Sequence, residues 1–329
     1  MVTINKDAKL AADVLNVAEK SATRDGAGKG LLEAGGKNPN VVALAADLSE
    51  SVRTHLFEQK FPERFFQVGV AEQNLAGVAA GLGMSGKTAF IGSFAAFSPG
   101  RNFDQIRVAV CYNNSDVKIL GSHTGLTVGE DGATHQMMED IAMMRVLPNM
   151  KVVVPSDSNE ARKAVLAAAN DYGPYYIRLT REKVPTYTTP DTPFEVGKAI
   201  ELCEGKDIAI FGCGTVAYDC LKAAYELEKH GISASVYDFH TVKPIDKETI
   251  IRSARKTGLI MTVEEHQVAA GFGSAVCEVV SESHPCRVVR HGMYDSFGES
   301  GTSKDLLKKY KLDTAGIVGK ALEAVKGKA

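Results

Sequence analysis

The chain has 329 residues, 44% of them hydrophobic and 24% charged, with a formal net charge of -2. That length supports two domains with separate cores, and 38 basic against 40 acidic residues gives no reason to expect a nucleic-acid or membrane partner. Six cysteines without C-x-x-C spacing, and no secretory leader in the sequence, point to reduced core thiols in the cytoplasm rather than to disulfides or a zinc site.

Short apolar runs alternate with amphipathic helical patterns along the chain, the pattern of a mostly parallel α/β sheet. Helices are expected over Asp7–Lys20 and Thr23–Gly35, a strand over Val41–Ala46 ending at Asp47, a helix over Ser51–Lys60 and a short strand over Phe65–Val68. The stretch Val68-Gly69-Val70-Ala71-Glu72-Gln73-Asn74 then leads into the apolar run Leu75–Met84. A lone carboxylate at the mouth of such a run is either a helix cap or a proton-handling group, because desolvation rather than water governs it.

Strand Thr88–Ser93, helix Arg101–Asn113 and strand Val117–Gly121 follow, and the last of these runs into the loop His123–His135. Helix Gln136–Val146, strand Lys151–Val154, helix Ser158–Ala169 and strand Tyr175–Leu179 complete the first half. Three prolines and four threonines crowd into Val184–Pro193, which reads as a domain linker. Beyond it the βα alternation restarts with strands over 207–211, 234–239, 259–263 and 287–290 and helices over 215–230, 247–256 and 273–283. The expected architecture is two doubly wound domains, residues 1–188 and a smaller one over 194–329.

Two nucleotide motifs are weighed first. Gly81 to Thr88 satisfies the Walker A pattern, but a P-loop needs a strand before it and a helix after it, and here the order is reversed. Gly212-Cys213-Gly214-Thr215-Val216-Ala217 follows a strand and opens a helix, with Asp238 ending the next strand. That context suits a dinucleotide, yet close strand-to-helix packing also calls for glycine there and no hydride-transfer constellation accompanies it.

The loop His123–His135 is the most chemically loaded segment. It holds two histidines, Glu130, Asp131 and three glycines, and it leaves the C-terminal end of a strand, where open α/β sheets bind ligands. Glycines let backbone approach a ligand, while His and Asp exchange hydrogen bonds with sugar hydroxyls or phosphate.

GVAEQNLAGVAAGL at 69–82, SFAAF at 93–97, GEDGATHQ at 129–136, LPNMKVVVPSD at 147–157 and VEEH at 263–266 together resemble the C-terminal half of transketolases. The resemblance covers nearly the whole chain and makes 1–188 a pyrimidine-binding domain and 194–329 the family's C-terminal domain. It implies thiamine diphosphate as cofactor, with Glu72 bonding N1′ of its aminopyrimidine. Phe94 and Phe97 then form the aromatic pocket around that ring, and Asp47 matches a position near the thiazolium. By composition alone both phenylalanines would be ordinary core.

The resemblance further places His123 and Asp131 against the sugar hydroxyls, with His123 also catalytic, and Arg24, Ser51, His135 and Arg181 around the terminal phosphate. Arginine suits phosphate because its planar fork grips two oxygens. One departure is visible: the third pocket aromatic of full-length members falls on Gly100, which leaves Phe103 as the candidate substitute.

No G-D-G, the family's Mg2+-binding signature, occurs in the chain. No metal ligands are therefore assigned to it, and a separate N-terminal, diphosphate-binding subunit is expected to supply them in an assembly of two copies of each. The expected reaction is transfer of a two-carbon ketol unit from a ketose phosphate to an aldose. A deoxyxylulose-phosphate synthase, the β subunit of a 2-oxoacid dehydrogenase and a non-catalytic binding module stay open as alternatives.

Overall fold

The first half of the chain builds a sheet from runs rich in Val, Ile, Ala and aromatics. Strands Thr241–Lys243, Lys151–Val153, Tyr175–Arg178, Val117–Ser122, Thr88–Phe94, Val41–Ala45 and Phe65–Gln67 lie side by side in that order in the computed structural model, which describes residues 2–327. All pair in parallel except Thr241–Lys243, which runs antiparallel to Lys151–Val153. The central strands are buried along their whole length, as helices on both faces require.

Helix Thr23–Lys37 packs on helix Ser158–Ala169, and it does so through glycine. A Cβ on Gly26 would fall on the Ser158 carbonyl, and one on Gly30 would lie 2.8 Å from the Arg162 carbonyl oxygen. Helix Glu72–Met84 covers the opposite face with Leu75, Ala76, Ala79 and Ala80.

The second sheet has the order Thr3–Ile4, Ile200–Glu204, Ala234–Asp238, Ile208–Cys213, Leu259–Gln267 and Arg287–Met293. Its last four strands are parallel and its first two antiparallel. Each half of the chain therefore lends one strand to the other's sheet: Thr3–Ile4 joins the second sheet and Thr241–Lys243 the first. Among the described residues no helix is long and apolar enough to cross a membrane.

Both expected sheets form, and several local expectations change. Asp7–Lys20 is not a helix: it has a single 3-10 turn at Lys6–Ala8, and Ala8, Leu10, Val14, Leu15 and Val17 pack on the second core as an irregular strap. The helical stretch of 51–60 shortens to His55–Lys60, and that of 136–146 to Asp140–Arg145. Arg101–Asn113 becomes a short turn, Phe103–Gln105, followed by a π-helical segment over Ile106–Tyr112. Helices Ser303–Lys309 and Thr314–Lys326 and the strand Ile200–Glu204 add to the expected set.

The segment Val184–Pro193 is not a free linker. Val184–Pro185 pairs with Lys20–Ser21, and fully buried Tyr187 donates to Asp238 Oδ2 at 2.6 Å and lies 2.9 Å from Ser156 Oγ. That bond occupies one oxygen of the carboxylate that the dinucleotide pattern would need. Gly212 is explained by packing, since its Cβ would lie 2.5 Å from Ala217 Cα. The Walker-like glycines close helix Glu72–Met84 and precede strand Thr88–Phe94, so no helix N-terminus faces them.

Candidate functional site

Parallel strands deliver their C-terminal ends to one edge of the first sheet. Phe94 ends strand Thr88–Phe94, His123 follows Val117–Ser122, Arg181 lies just beyond Tyr175–Arg178, and Asp47 just beyond Val41–Ala45. Glu72 arrives at the same edge because strand Phe65–Gln67 turns directly into the helix it begins.

Glu72 is buried, its side chain only 1% exposed, and Arg101 Nη1 donates to its Oε2 at 2.7 Å. Asn102 Nδ2 fixes the helix start by donating to the Glu72 carbonyl at 2.9 Å. The Arg101 guanidinium also lies over the Phe97 ring, 4.7 Å from its centroid. Phe97 stacks on Phe94 with centroids 5.9 Å apart, and Phe94 stacks on the His123 ring at 3.7 Å. His135 meets both phenylalanines edge-on. A chain of flat groups thus runs from the buried carboxylate to the loop.

At Gly100 an added Cβ would lie 2.2 Å from the Ala96 carbonyl oxygen, so this backbone admits no aromatic at that position. Phe103 is half-buried and packs against the apolar core that Leu75, Ala76 and Ala79 help to form. Asp47 is exposed at φ +60°, its amide donating to Gln67 Oε1 at 2.7 Å.

Positive groups gather beside the aromatic stack. Arg24, in the first turn of its helix, donates through Nη1 to the Ser51 carbonyl at 2.9 Å and to His123 Nε2 at 3.2 Å. An arginine only donates, so Nε2 is the unprotonated nitrogen and Nδ1–H donates to Ser122 Oγ at 3.0 Å. Burial, followed by the charges of Arg24, Arg181, His135 and Arg53, pushes the His123 pKa down to about 3. The imidazole is therefore neutral at ordinary pH. Burial and the neighbouring Arg53 also lower the pKa of Arg24, with Asp25 opposing.

Arg181 Nη1 donates to the Val128 carbonyl at 2.7 Å and to Glu130 Oε2 at 3.1 Å. Asp131 is exposed, and His135 is half-buried with Thr134 Oγ1 2.8 Å from its Nδ1. The loop bends through Gly125, Gly129 and Gly132, at φ +76°, +83° and +72°, a region open to glycine and costly for other residues.

Sequence reasoning missed Arg101, which it placed only as a helix start. Being the first charge after the uncharged stretch that carries both phenylalanines was its one signal. It also left Glu265 without a role, although Glu265 Oε1 accepts from the Thr127 amide at 2.5 Å.

Residues 19–186 match the family model for the transketolase pyrimidine-binding domain, and residues 197–317 that for the transketolase C-terminal domain. A protein of Methanocaldococcus jannaschii described as a transketolase C-terminal section is 42% identical over 306 residues, 92% of this chain and 96% of that one. A 6-deoxy-6-sulfo-D-fructose transketolase subunit of Clostridium sp. is also 42% identical, over 91% of this chain and 92% of its own. Among solved structures, a split gene transketolase described as an inactive beta4 tetramer superposes with a TM-score of 0.87 at 49% identity, covering 93% of this chain and 98% of that one.

Proposed function

This chain belongs to the transketolase family, and from that premise we propose that it is the C-terminal subunit of a split transketolase, a cytoplasmic enzyme that moves a two-carbon ketol unit from a ketose phosphate to an aldose. The observation that carries the reading is the run of contacts from Glu72 through Phe97 and Phe94 to His123 and Arg24, which puts a buried carboxylate, an aromatic face and an anion grip in one place.

These residues fit the aminopyrimidine of thiamine diphosphate. The Arg101 guanidinium is flat and rich in N–H, and it is held between the Glu72 carboxylate and the Phe97 ring. The site therefore accepts a planar donor in that position. When bound, thiamine diphosphate would supply the nucleophilic carbon and electron sink that two-carbon transfer needs.

The chain's own groups do the rest. Glu72 holds or yields a proton at its carboxylate, sheltered from water by the helix it begins. Phe94 and Phe97 bind the flat ring and exclude water. His123, neutral and with its Nδ1–H held by Ser122, offers Nε2 to a substrate hydroxyl in place of Arg24 as Arg24 turns to the phosphate, and Asp131 contributes a carboxylate from the loop. Arg24 and Arg181, with Ser51 and His135 beside them, orient the terminal phosphate. Asp47 serves the thiazolium side.

The diphosphate and its Mg2+ are assigned to an N-terminal subunit, with two copies of each chain in the active assembly. The two-chain reading is supported by relatives of the same extent, one named as a transketolase subunit and one as a split gene product. Six free cysteines are compatible with the cytoplasm. The test is reconstitution. Mixing this chain with a diphosphate-domain subunit, thiamine diphosphate and Mg2+ should produce ketol transfer that neither chain shows alone. Absence of transfer across ketose phosphate donors would overturn the proposal.

A further inference from the structure

The loop at 124–136 is given the task of holding substrate, yet it is not rigid by its own making. Three of its glycines sit at positive φ, where glycine gains freedom that must be lost again on ordering. Its external supports come from both domains: within the first, Arg181 donates to the Val128 carbonyl at 2.7 Å and Thr124 Oγ1 to the Leu179 carbonyl at 3.0 Å, and further bonds arrive from the second. Ser303 Oγ donates to the Thr127 carbonyl at 3.1 Å, and Gln136 Nε2 donates to the Glu299 carbonyl at 2.9 Å. The Gln267 amide donates to the Met138 carbonyl at 2.9 Å.

Glu265 supports the loop from inside the second sheet. Its Oε1 accepts from the Thr127 amide at 2.5 Å, and a Cβ on Gly125 would lie 2.5 Å from the same oxygen. The glycine and the carboxyl are thus shaped to each other. Glu265 is itself fixed at both ends. It lies in strand Leu259–Gln267, and its carbonyl accepts from Arg178 Nη2 at 2.9 Å, while Arg178 Nε donates to buried Asp140 at 2.8 Å. Burial pushes its carboxyl pKa up, with Arg178 and the Thr127 bonds opposing, and an amide of the same shape keeps the oxygen that accepts from Thr127.

We propose that Glu265 is a positioning residue through which the second domain sets the conformation of residues 125–129 and so places Asp131 and His135 for the substrate. The loop-ordering part stands on the contacts above, and the substrate part rests on the proposed transketolase reaction. With the acceptor gone, the Thr127 amide loses its buried partner and the loop must be ordered by substrate instead.

Two readouts test this. In hydrogen exchange of the chain alone, Glu265→Ala and the milder Glu265→Asp should speed exchange across 124–131 by about tenfold, the equivalent of one lost hydrogen bond, with strand 117–122 unchanged. Glu265→Gln, which keeps the acceptor oxygen, should stay near wild type. In the reconstituted enzyme Glu265→Asp should raise KM for a ketose phosphate about tenfold with little change in kcat, and Glu265→Gln should restore it. Loop exchange that does not rise in Glu265→Asp, or that rises equally throughout the chain, would overturn the proposal. A wild-type assembly without ketol transfer would defeat the functional reading and leave the exchange result to decide the loop.

Discussion

Arg101 reaches back across the face of Phe97 to donate to the buried carboxylate of Glu72 at 2.7 Å, with half of its own side chain exposed and almost none of its partner's. A buried charge that loses its one cationic partner keeps the desolvation penalty without the compensation. Arg101→Leu should therefore destabilise the chain by about 1–3 kcal/mol, read as a fall in thermal midpoint. In a Glu72→Gln background the same change should cost much less, because the charge needing the partner is gone. Equal losses in both backgrounds would show that the pair is not coupled.

His123 gives a pH test with a definite sign. Its folded pKa is lowered from 6.5 to about 3, so the unfolded chain binds the proton first as pH falls. Its contribution therefore favours folding less and less as pH falls from 6.5 towards 3. Between pH 6 and 4, wild type should lose stability relative to His123→Gln at close to 1.4 kcal/mol per pH unit. The measurement is a series of paired denaturation curves, and a constant difference between the two proteins across that window would contradict a neutral, buried His123.

The phosphate grip is tested by keeping charge and removing shape. Arg24→Lys or Arg181→Lys in the reconstituted enzyme should raise KM for a ketose phosphate by about tenfold or more, because a lysine ammonium cannot grip two oxygens at once. The same variants should lose far less kcat/KM on the unphosphorylated ketose, with Arg24→Lys losing some because Arg24 also bonds His123. Equal losses on both substrates would remove the two arginines from phosphate recognition.

The sequence made the sheets legible because their cores are continuous β-branched and apolar runs, such as Val41–Ala45 and Ile208–Cys213, separated by helical periods. It misled where apolar spacing serves a packing partner rather than a helix. Leu10, Val14, Leu15 and Val17 look helical and instead drape an irregular strap over the second core. Prolines and threonines suggested a loose tether at Val184–Pro193, but Tyr187 and Thr188 spend their polar groups on Asp238 and Asp157, which lie far away in sequence. The same holds for the site. Glu72 and the aromatics were legible as a motif, while Arg101 and Glu265 act through contacts that only the folded chain creates.

The segment Val184–Pro193 yields a further prediction. Residues 184–193 should resist limited proteolysis in the folded chain, because Tyr187 is buried and Thr188 donates to Asp157 through both its amide and its hydroxyl at 2.8 Å. Tyr187→Phe removes the donor to Asp238 and should cost about 1–3 kcal/mol, speeding cleavage in this segment. Rapid cutting of the wild-type chain there would mean that the segment behaves as a free tether.

The central claim is that this chain carries the pyrimidine side of a cofactor site which another subunit completes. Calorimetric titration of thiamine diphosphate with Mg2+ into this chain alone, the diphosphate-domain subunit alone and their mixture tests it most directly. The account predicts tight binding for the mixture, and a large loss of that affinity when Glu72→Gln is used. Binding by this chain alone as tight as by the mixture, or a mixture indifferent to Glu72, would contradict it.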